Sequence, residues 1–509
     1  MSRRPRDGHG DAITEHSVAR GAGAALIGRA GGIIELISTP LYVWMFGLST
    51  YGLYAVLWAA VNLIENVADL GMTSALQRTV PQTRTEAEAV AALRAALLLG
   101  VTPCLLIAAL ISFLAPAVST LVNVAAADRE SLATGIRLFA WALPLWAFVE
   151  ISTSALRAKR AFGPEIRLRL IGEQLIRLAA AVLLWAAGVD TLALLVAHLL
   201  SLTVTAALSF RLLRHHYDLR LWGAPGHRRQ LRSTAAAGLS ILPANIIGRL
   251  LSDAPPLVLN AWYPGAAGAT SAGLYTIARK LSSLVQLVRT AFSYVIGPLS
   301  SAVARDDRAA IAPLYGFATR VSVVLSLPLA AALIGGRHIV LQLFEPAAYA
   351  AGAMVTLLTL GRAVEAVGGQ AGAIQQVASR RIKPLISSGA ALCVAIVAAT
   401  VLLPRYGAAG LAAAVALGVA TMSIVAVAQL WRDLRLHPFG SPFPRALATA
   451  LTISVAFLGL LPLLAGLPSV VELAAFAASL LVGLWLSARI GLGPSDKAFM
   501  GRAATRLRL

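Results

Sequence analysis

The sequence predicts an all-α polytopic membrane protein of about 14 transmembrane helices, arranged as two pseudo-symmetric six-helix lobes followed by two C-terminal helices. Three observations predict it. Of the 509 residues, 58% are hydrophobic before 42 glycines are added, and only 13% are charged. Soluble chains average about 45–50% apolar with glycine included and about 25% charged, so a soluble globular domain and a disordered chain are both excluded. The mean hydropathy of +0.76 comes from many separate apolar stretches, each near the roughly 20 residues a helix needs to cross a bilayer. Finally, short segments recur at a nearly constant offset that spans six such stretches.

Windows of about 20 apolar residues place the spans at 20–46, 52–76, 87–114, 131–156, 165–187, 190–213, 234–262, 270–300, 313–334, 348–373, 384–403, 408–431, 445–465 and 468–490. A polar arm with Arg3, Arg4 and Arg6 precedes the first span, which continues as IELISTPLYVWMFG without an evident cleavage site and reads as a retained helix. The chain has 43 Lys and Arg against 23 Asp and Glu, a formal charge of +20. Those basic residues gather in the connections on one side, as in the cluster Arg211, Arg214, Arg220, Arg228, Arg229 and Arg232. The other side holds only Arg129, Arg337 and Arg405. This bias places both termini in the cytoplasm, fits an even number of spans in the cell (inner) membrane, and explains the charge without nucleic acid. No connection is long enough for a soluble domain, so function belongs to the helical body.

The internal repeat gives the organisation. Ile27-Gly28-Arg29 recurs as Ile247-Gly248-Arg249, 220 residues later; Gly52-Leu53-Tyr54 recurs as Gly273-Leu274-Tyr275, and Ala158-Lys159-Arg160 falls opposite Ser379-Arg380-Arg381, both at 221. A shift of six helices preserves orientation, giving a parallel repeat with its axis along the membrane normal. The expected units are residues 1–222 (spans 1–6), 223–436 (spans 7–12) and 437–509 (spans 13 and 14 and a basic tail).

The stretches Ala68-Asp69-Leu70-Gly71-Met72, Ala272-Gly273-Leu274-Tyr275 and Pro404-Arg405-Tyr406-Gly407-Ala408-Ala409-Gly410 resemble the polysaccharide (O-antigen type) flippases of the multidrug/oligosaccharidyl-lipid/polysaccharide exporter superfamily. The resemblance covers essentially the whole chain through soft patterns. It implies a V-shaped pair of six-helix bundles that moves polyprenyl-pyrophosphate-linked oligosaccharide from the cytoplasmic to the outer leaflet by alternating access, for cell-surface polysaccharide biosynthesis. The partners it implies are that lipid-linked substrate, membrane lipids, and a polysaccharide polymerase with its chain-length machinery. A lipid II flippase and a multidrug or cation antiporter of the same superfamily are the alternatives, the antiporter type usually having twelve helices.

Ionisable residues inside spans cost about 2.5–3.5 kcal/mol at the bilayer centre and are functional candidates by default. Arg29 and Arg249 are equivalent under the repeat and open the two lobes. With Arg289 and Arg362 they form the expected cavity cation site, since guanidinium groups bind phosphate oxygens bidentately and stay charged. Glu35, Glu65, Asp69, Glu150 and Asp253 are candidates for ion coupling or charge neutralisation, with Asp253, four residues after Arg249, expected to neutralise it. Arg137, Arg279, Lys280 and Arg320 lie near span ends and are expected to snorkel to the interface. Pro255-Pro256 is expected to break or sharply bend the seventh span and to act as a gating element.

No Ser/His/Asp grouping, phosphate-binding glycine loop or nucleotide motif occurs, and Cys104 and Cys393 offer neither a disulfide framework nor metal spacing. A membrane-embedded glycan polymerase or ligase is the competing class, but such enzymes need a substantial outward loop carrying acid–base groups, and the outer connections here are short. Asp306-Asp307, between Arg305 and Arg308, reads as a charge-balanced turn. The expectation is therefore a monomeric, non-enzymatic transporter without cofactor or metal.

Overall fold

A computed structural model describes residues 30–159, 161, 166–189, 191–223, 227–290, 311–378, 382–464 and 466–508. The described residues are overwhelmingly helical and contain no strand. Fifteen helices build the body, and their order follows the apolar windows. α1 (Ala30–Ala68) carries the first two spans, folded across a turn at Gly47. α2 (Met72–Thr79) is short, and α3 (Glu86–Phe113) is the third span. α4 (Arg129–Phe139) and α5 (Ala142–Ala158) together make the fourth, α6 (Glu173–Ala186) follows a π-helical turn at Ile166–Gly172, and α7 (Ala193–His216) is the sixth. α8 (His227–Leu239) and α9 (Leu242–Trp262) form the seventh, α10 (Ala266–Ser283) the eighth, α11 (Ile311–Gly335) the ninth and α12 (Gly352–Gly368) the tenth. α13 (Ile382–Leu434) carries two spans across Gly407, and α14 (Phe443–Leu460) and α15 (Ser469–Gly491) close the order.

Among the described residues, nine helices are long and apolar enough to cross a membrane, and a tenth span is the pair Arg228–Leu239 and Leu242–Trp262, bent by 45°. Two of the nine contain a glycine break that makes each a double crossing, and α6 and α10 fill the two remaining places. Charge and helix breakers shape the ends. Thr85 caps α3 by accepting from the Glu88 N–H, with Glu86 and Glu88 in the first turn where the helix dipole favours acids.

Two features of the fold show the repeat directly. Positive-φ glycines close corresponding hairpins, Gly47 (φ 77°) with Gly265 (φ 58°) and Gly188 (φ 77°) with Gly407 (φ 58°), 218 and 219 residues apart. More tellingly, Gly52 on α1 and Gly273 on α10, which the repeat makes equivalent, pack against each other. A Cβ on Gly273 would sit 3.1 Å from the Gly52 Cα and 3.0 Å from the Leu48 carbonyl oxygen. Equivalent residues meet only beside the axis that relates them, so this contact marks the pseudo-two-fold at the boundary between the lobes. The following tyrosines, Tyr54 and Tyr275, are both buried. Overpacking a buried contact costs about 1–3 kcal/mol, so Gly273→Val is expected to lower the thermal unfolding temperature of detergent-purified protein by several degrees. An unchanged midpoint would show that the lobes do not rely on this approach.

The first ten residues of the first span, with Ile27-Gly28-Arg29, lie outside the described residues, as do Arg160, Arg380-Arg381 and residues 291–310 with Asp306-Asp307. The second span ends eight residues earlier than the hydropathy window predicts. Leu70 (φ 53°) and Gly71 (φ 74°) turn the chain after Ala68, and the Asp69 carboxylate holds that turn. It accepts the N–H of Gly71, of Met72 at 3.0 Å and of Thr73 at 3.2 Å, and the Thr73 hydroxyl at 2.8 Å. Gly71 is required there twice over, by its left-handed φ and by α8, because a Cβ would lie 3.2 Å from the Gly238 Cα.

Pro255-Pro256 does not break the seventh span. α9 runs helically through both, and the bend falls earlier, between α8 and α9. The reason is a replacement hydrogen bond. A proline at 256 removes the donor that would reach the Ser252 carbonyl, and Arg279 Nη1 of α10 donates to that carbonyl instead at 3.1 Å.

A candidate charged cavity between the lobes

Charged side chains on α9, α10, α12 and the segment just after α10 form two matching clusters. In the first, the buried Asp253 carboxylate receives Arg279 Nη1 at 2.9 Å on Oδ1 and Arg249 Nη1 at 3.4 Å on Oδ2. In the second, the buried Glu365 carboxylate receives Arg289 Nη2 at 2.8 Å, Arg362 Nη1 at 3.0 Å and Gln286 Nε2 at 2.8 Å. Each cluster sets two guanidiniums on one buried carboxylate in a region where isolated charge is costly.

The arginines are not equivalent. Arg279 is shared between Asp253 and the carbonyl that Pro256 leaves without a donor, and its side chain is 29% exposed. Arg249 makes one long ion pair and is 38% exposed. Breaking a buried pair costs about 3–5 kcal/mol, whereas a half-exposed pair is worth about 0–1. Arg279→Ala is therefore expected to destabilise the purified protein strongly in thermal unfolding and Arg249→Ala to leave it nearly unchanged. Equal losses from the two would contradict this division of labour.

The other lobe presents acids. A cavity of about 430 Å³ lies between α1, α2, α5 and α9 and is lined by Glu65, Asn66, Asp69, Thr73, Glu150, Asn245 and Arg249, among others. Glu150 pairs with Arg169, whose guanidinium also covers the Trp146 ring at 4.8 Å. Asp69 is spent on the turn before α2. Glu65 is 3% exposed, and among the described residues its carboxylate makes no hydrogen bond or ion pair. Glu35 is bound across the lobe boundary to Lys280 Nζ at 3.0 Å, and the same ammonium donates to the Thr39 hydroxyl at 3.1 Å. The cavity is thus polarised, with Glu65, Asp69 and Glu150 on the first lobe facing Arg249 on the second.

A third polar group is entirely internal. Arg177 donates to the Tyr54 hydroxyl at 3.0 Å, to His198 Nε2 at 3.3 Å and to Gln174. An arginine only donates, so His198 Nε2 is the acceptor and Nδ1 carries the hydrogen given to Tyr54 at 3.0 Å. Trp58, Phe139 and Trp146 close the box around it.

At the end of the bundle bearing the Gly47 turn, the lobes are latched by two asparagines. The Asn123 N–H donates to Asn260 Oδ1 at 3.0 Å, and Asn123 Nδ2 to the Asn260 carbonyl at 2.9 Å. Asn260 Nδ2 returns a bond to the Asn123 carbonyl at 2.7 Å. The Leu48 N–H donates to Glu345 Oε1 at 3.2 Å beside them.

The sequence matches the family described as polysaccharide biosynthesis protein over residues 45–347, more than half of its length. The chain belongs to this family. Its structure is similar to that of the lipid II flippase MurJ in an inward closed conformation, with a TM-score of 0.69 at 14% identity over 92% of this chain and 98% of that one. A multidrug and toxin extrusion (MATE) transporter solved in complex with MaL6 gives 0.61 at 16% identity over 83% and 96%, and the Vibrio cholerae MATE transporter VcmN in its bent form 0.59 at 11% over 87% and 99%. No curated protein matches the sequence. The fold of this family member is thereby the one seen in these flippase and MATE transporter structures.

Within that fold the site expected from sequence is partly assembled. Arg249, Arg289 and Arg362 all lie on the second lobe in the two clusters, while Arg29 lies outside the described residues. Asp253 is paired with Arg249 and with Arg279. Of the four snorkelling candidates only Arg137 is exposed. Arg279 and Lys280 turn inward to Asp253 and Glu35, and Arg320 is buried on Asp496, with Nε at 3.0 Å and Nη2 at 2.5 Å. Nearness to a helix end says nothing about depth when a partner waits on a neighbouring element. The asparagine latch and the second cation on each carboxylate were missed, since no spacing in the sequence joins residues 123 and 260 or 253 and 279.

Proposed function

We propose that the protein is a flippase that carries polyprenyl-diphosphate-linked oligosaccharide from the cytoplasmic to the outer leaflet for cell-surface polysaccharide assembly. The observation that carries the reading is the pair of clusters in which two arginines face one buried carboxylate. A transported diphosphate must exchange its hydration for fixed donors, and guanidiniums such as Arg249 and Arg362 provide them while the Asp253 and Glu365 carboxylates offset their charge. Membership of a polysaccharide biosynthesis family supports a glycan as the cargo, and the polarised cavity suits an amphiphile with an anionic link and a hydroxyl-rich head.

Alternating access follows from the lobes. With the basic connections in the cytoplasm, the Asn123–Asn260 latch closes the outer end and the described state offers its cavity inward. Outward opening has to part the latch and the Gly52–Gly273 contact while Lys280 and Glu35 hold the lobes elsewhere. Mass spectrometry of lipid extracts from a deletion strain tests the assignment. A complete polyprenyl-diphosphate glycan is expected to accumulate and to be cleared by the intact gene; rising drug or cation sensitivity with no such lipid would replace the reading with an antiporter.

A further inference from the structure

The cavity beside Glu65 contains hydrogen-bond acceptors with nothing to accept. Glu65 is 3% exposed with no partner among the described residues, and Asn66 Oδ1, next to it in the same cavity, is buried without a donor. Both groups line the cavity and can accept hydrogen bonds from a ligand that enters it. Thr73 and Asn245 add hydroxyl and amide groups to the same wall.

The chemistry of that ligand is restricted on each side. Three carboxyl groups, Glu65, Asp69 and Glu150, line the cavity and offer no favourable partner to a phosphate or a uronic acid. Arg249 at the rim and Arg169 on Glu150 disfavour an organic cation. Among the described residues no three Asp, Glu, His or Cys side chains converge on a metal position. What fits is an uncharged group with several adjacent O–H or N–H donors. At about 430 Å³ the cavity lies within the roughly 300–1,000 Å³ range of small-molecule sites.

We propose that this cavity is the glycan subsite of the transporter, holding the sugar next to the diphosphate and selecting a neutral or N-acetylated sugar over an acidic one. Glu65 and Asn66 accept its hydroxyl hydrogens, and Arg249, which reaches both this cavity and Asp253, stands at the junction where the first phosphate meets the sugar. The inference rests on the flippase reading and adds to it a cargo class and a specificity residue.

Affinities measured on the full-length protein in nanodiscs test it, using three soluble short-chain polyprenyl diphosphates: sugar-free, N-acetylhexosaminyl and glucuronyl. The wild type is expected to bind the N-acetylhexosaminyl compound about tenfold or more tighter than the sugar-free one, the value of one charge-assisted hydrogen bond. The glucuronyl compound is expected to gain nothing from its sugar. Glu65→Ala is expected to erase the gain while leaving sugar-free binding unchanged. Glu65→Gln, which keeps the shape and one acceptor, is expected to retain part of it and to narrow the discrimination against glucuronate. Equal binding of all three compounds by the wild type, or an equal loss for sugar-bearing and sugar-free compounds in Glu65→Ala, overturns the subsite and leaves the flippase reading standing. Binding of none of the three overturns both. Displacement of the N-acetylhexosaminyl compound by tetraphenylphosphonium, with loss of tetraphenylphosphonium binding in Glu65→Ala, assigns the cavity to organic cations instead.

Discussion

Arg249→Ala combined with Arg362→Ala is expected to weaken polyprenyl diphosphate binding by about a hundredfold or more and to abolish glycan export, with the protein still inserted and folded. The magnitude follows from two charge-assisted hydrogen bonds at about 1.5–3 kcal/mol each, where 1.4 kcal/mol is tenfold. The tolerance follows from the clusters themselves. Removing Arg249 leaves Asp253 paired with Arg279 at 2.9 Å, and removing Arg362 leaves Glu365 paired with Arg289 at 2.8 Å and bonded to Gln286. Neither substitution strands a buried carboxylate. Arg279 is a poor probe of binding because its loss also leaves the Ser252 carbonyl without its donor. Lys substitutions at 249 and 362 separate charge from geometry. They are expected to restore part of the binding, since an ammonium keeps the charge but gives up the bidentate fork. Normal export by the double alanine protein, at normal membrane levels, would remove both arginines from the site.

Locking the asparagine latch is expected to stop transport completely and reversibly. Asn123 and Asn260 exchange three hydrogen bonds of 2.7–3.0 Å, so cysteines placed there are close enough for a short thiol crosslink. Cys393 is exposed and should be replaced by serine first, while Cys104 is buried. If this contact is the outer gate, Asn123→Cys/Asn260→Cys protein is expected to lose activity on oxidation and regain it on reduction, with diphosphate binding from the cytoplasmic side retained throughout. Full activity in the crosslinked state would mean that the lobes need not separate at this end.

The sequence was most informative where burial and repetition dictate pattern. Among the described residues every predicted span corresponds to helix, because a 20-residue apolar stretch has few other solutions in a bilayer. The repeat predicted from Gly52-Leu53-Tyr54 and Gly273-Leu274-Tyr275 is visible as two glycines touching at the lobe boundary. What could not be read were contacts between elements far apart in the chain. Pro255-Pro256 looks like a break in isolation, yet α9 runs helically through both, and a guanidinium from α10 replaces one of the two lost donors. Asp69 looks like a coupling carboxylate by its position in a span, but its oxygens face the turn that ends the span one residue earlier. Glu65 carries the same chemistry four residues away and is the one left without a protein partner among the described residues. Periodicity distinguishes the faces of a helix, whereas the fate of a charge depends on which neighbour faces it.

The central claim is translocation of a lipid-linked glycan, and a reconstituted vesicle assay addresses it most directly. Proteoliposomes loaded on the inner leaflet with polyprenyl-diphosphate oligosaccharide, and exposed outside to an impermeant glycosidase, report movement across the bilayer. Time-dependent cleavage is expected with the intact protein, and only background cleavage with the Arg249→Ala/Arg362→Ala protein. Cleavage no faster than in protein-free vesicles, with a correctly folded protein that binds the lipid, would contradict the account.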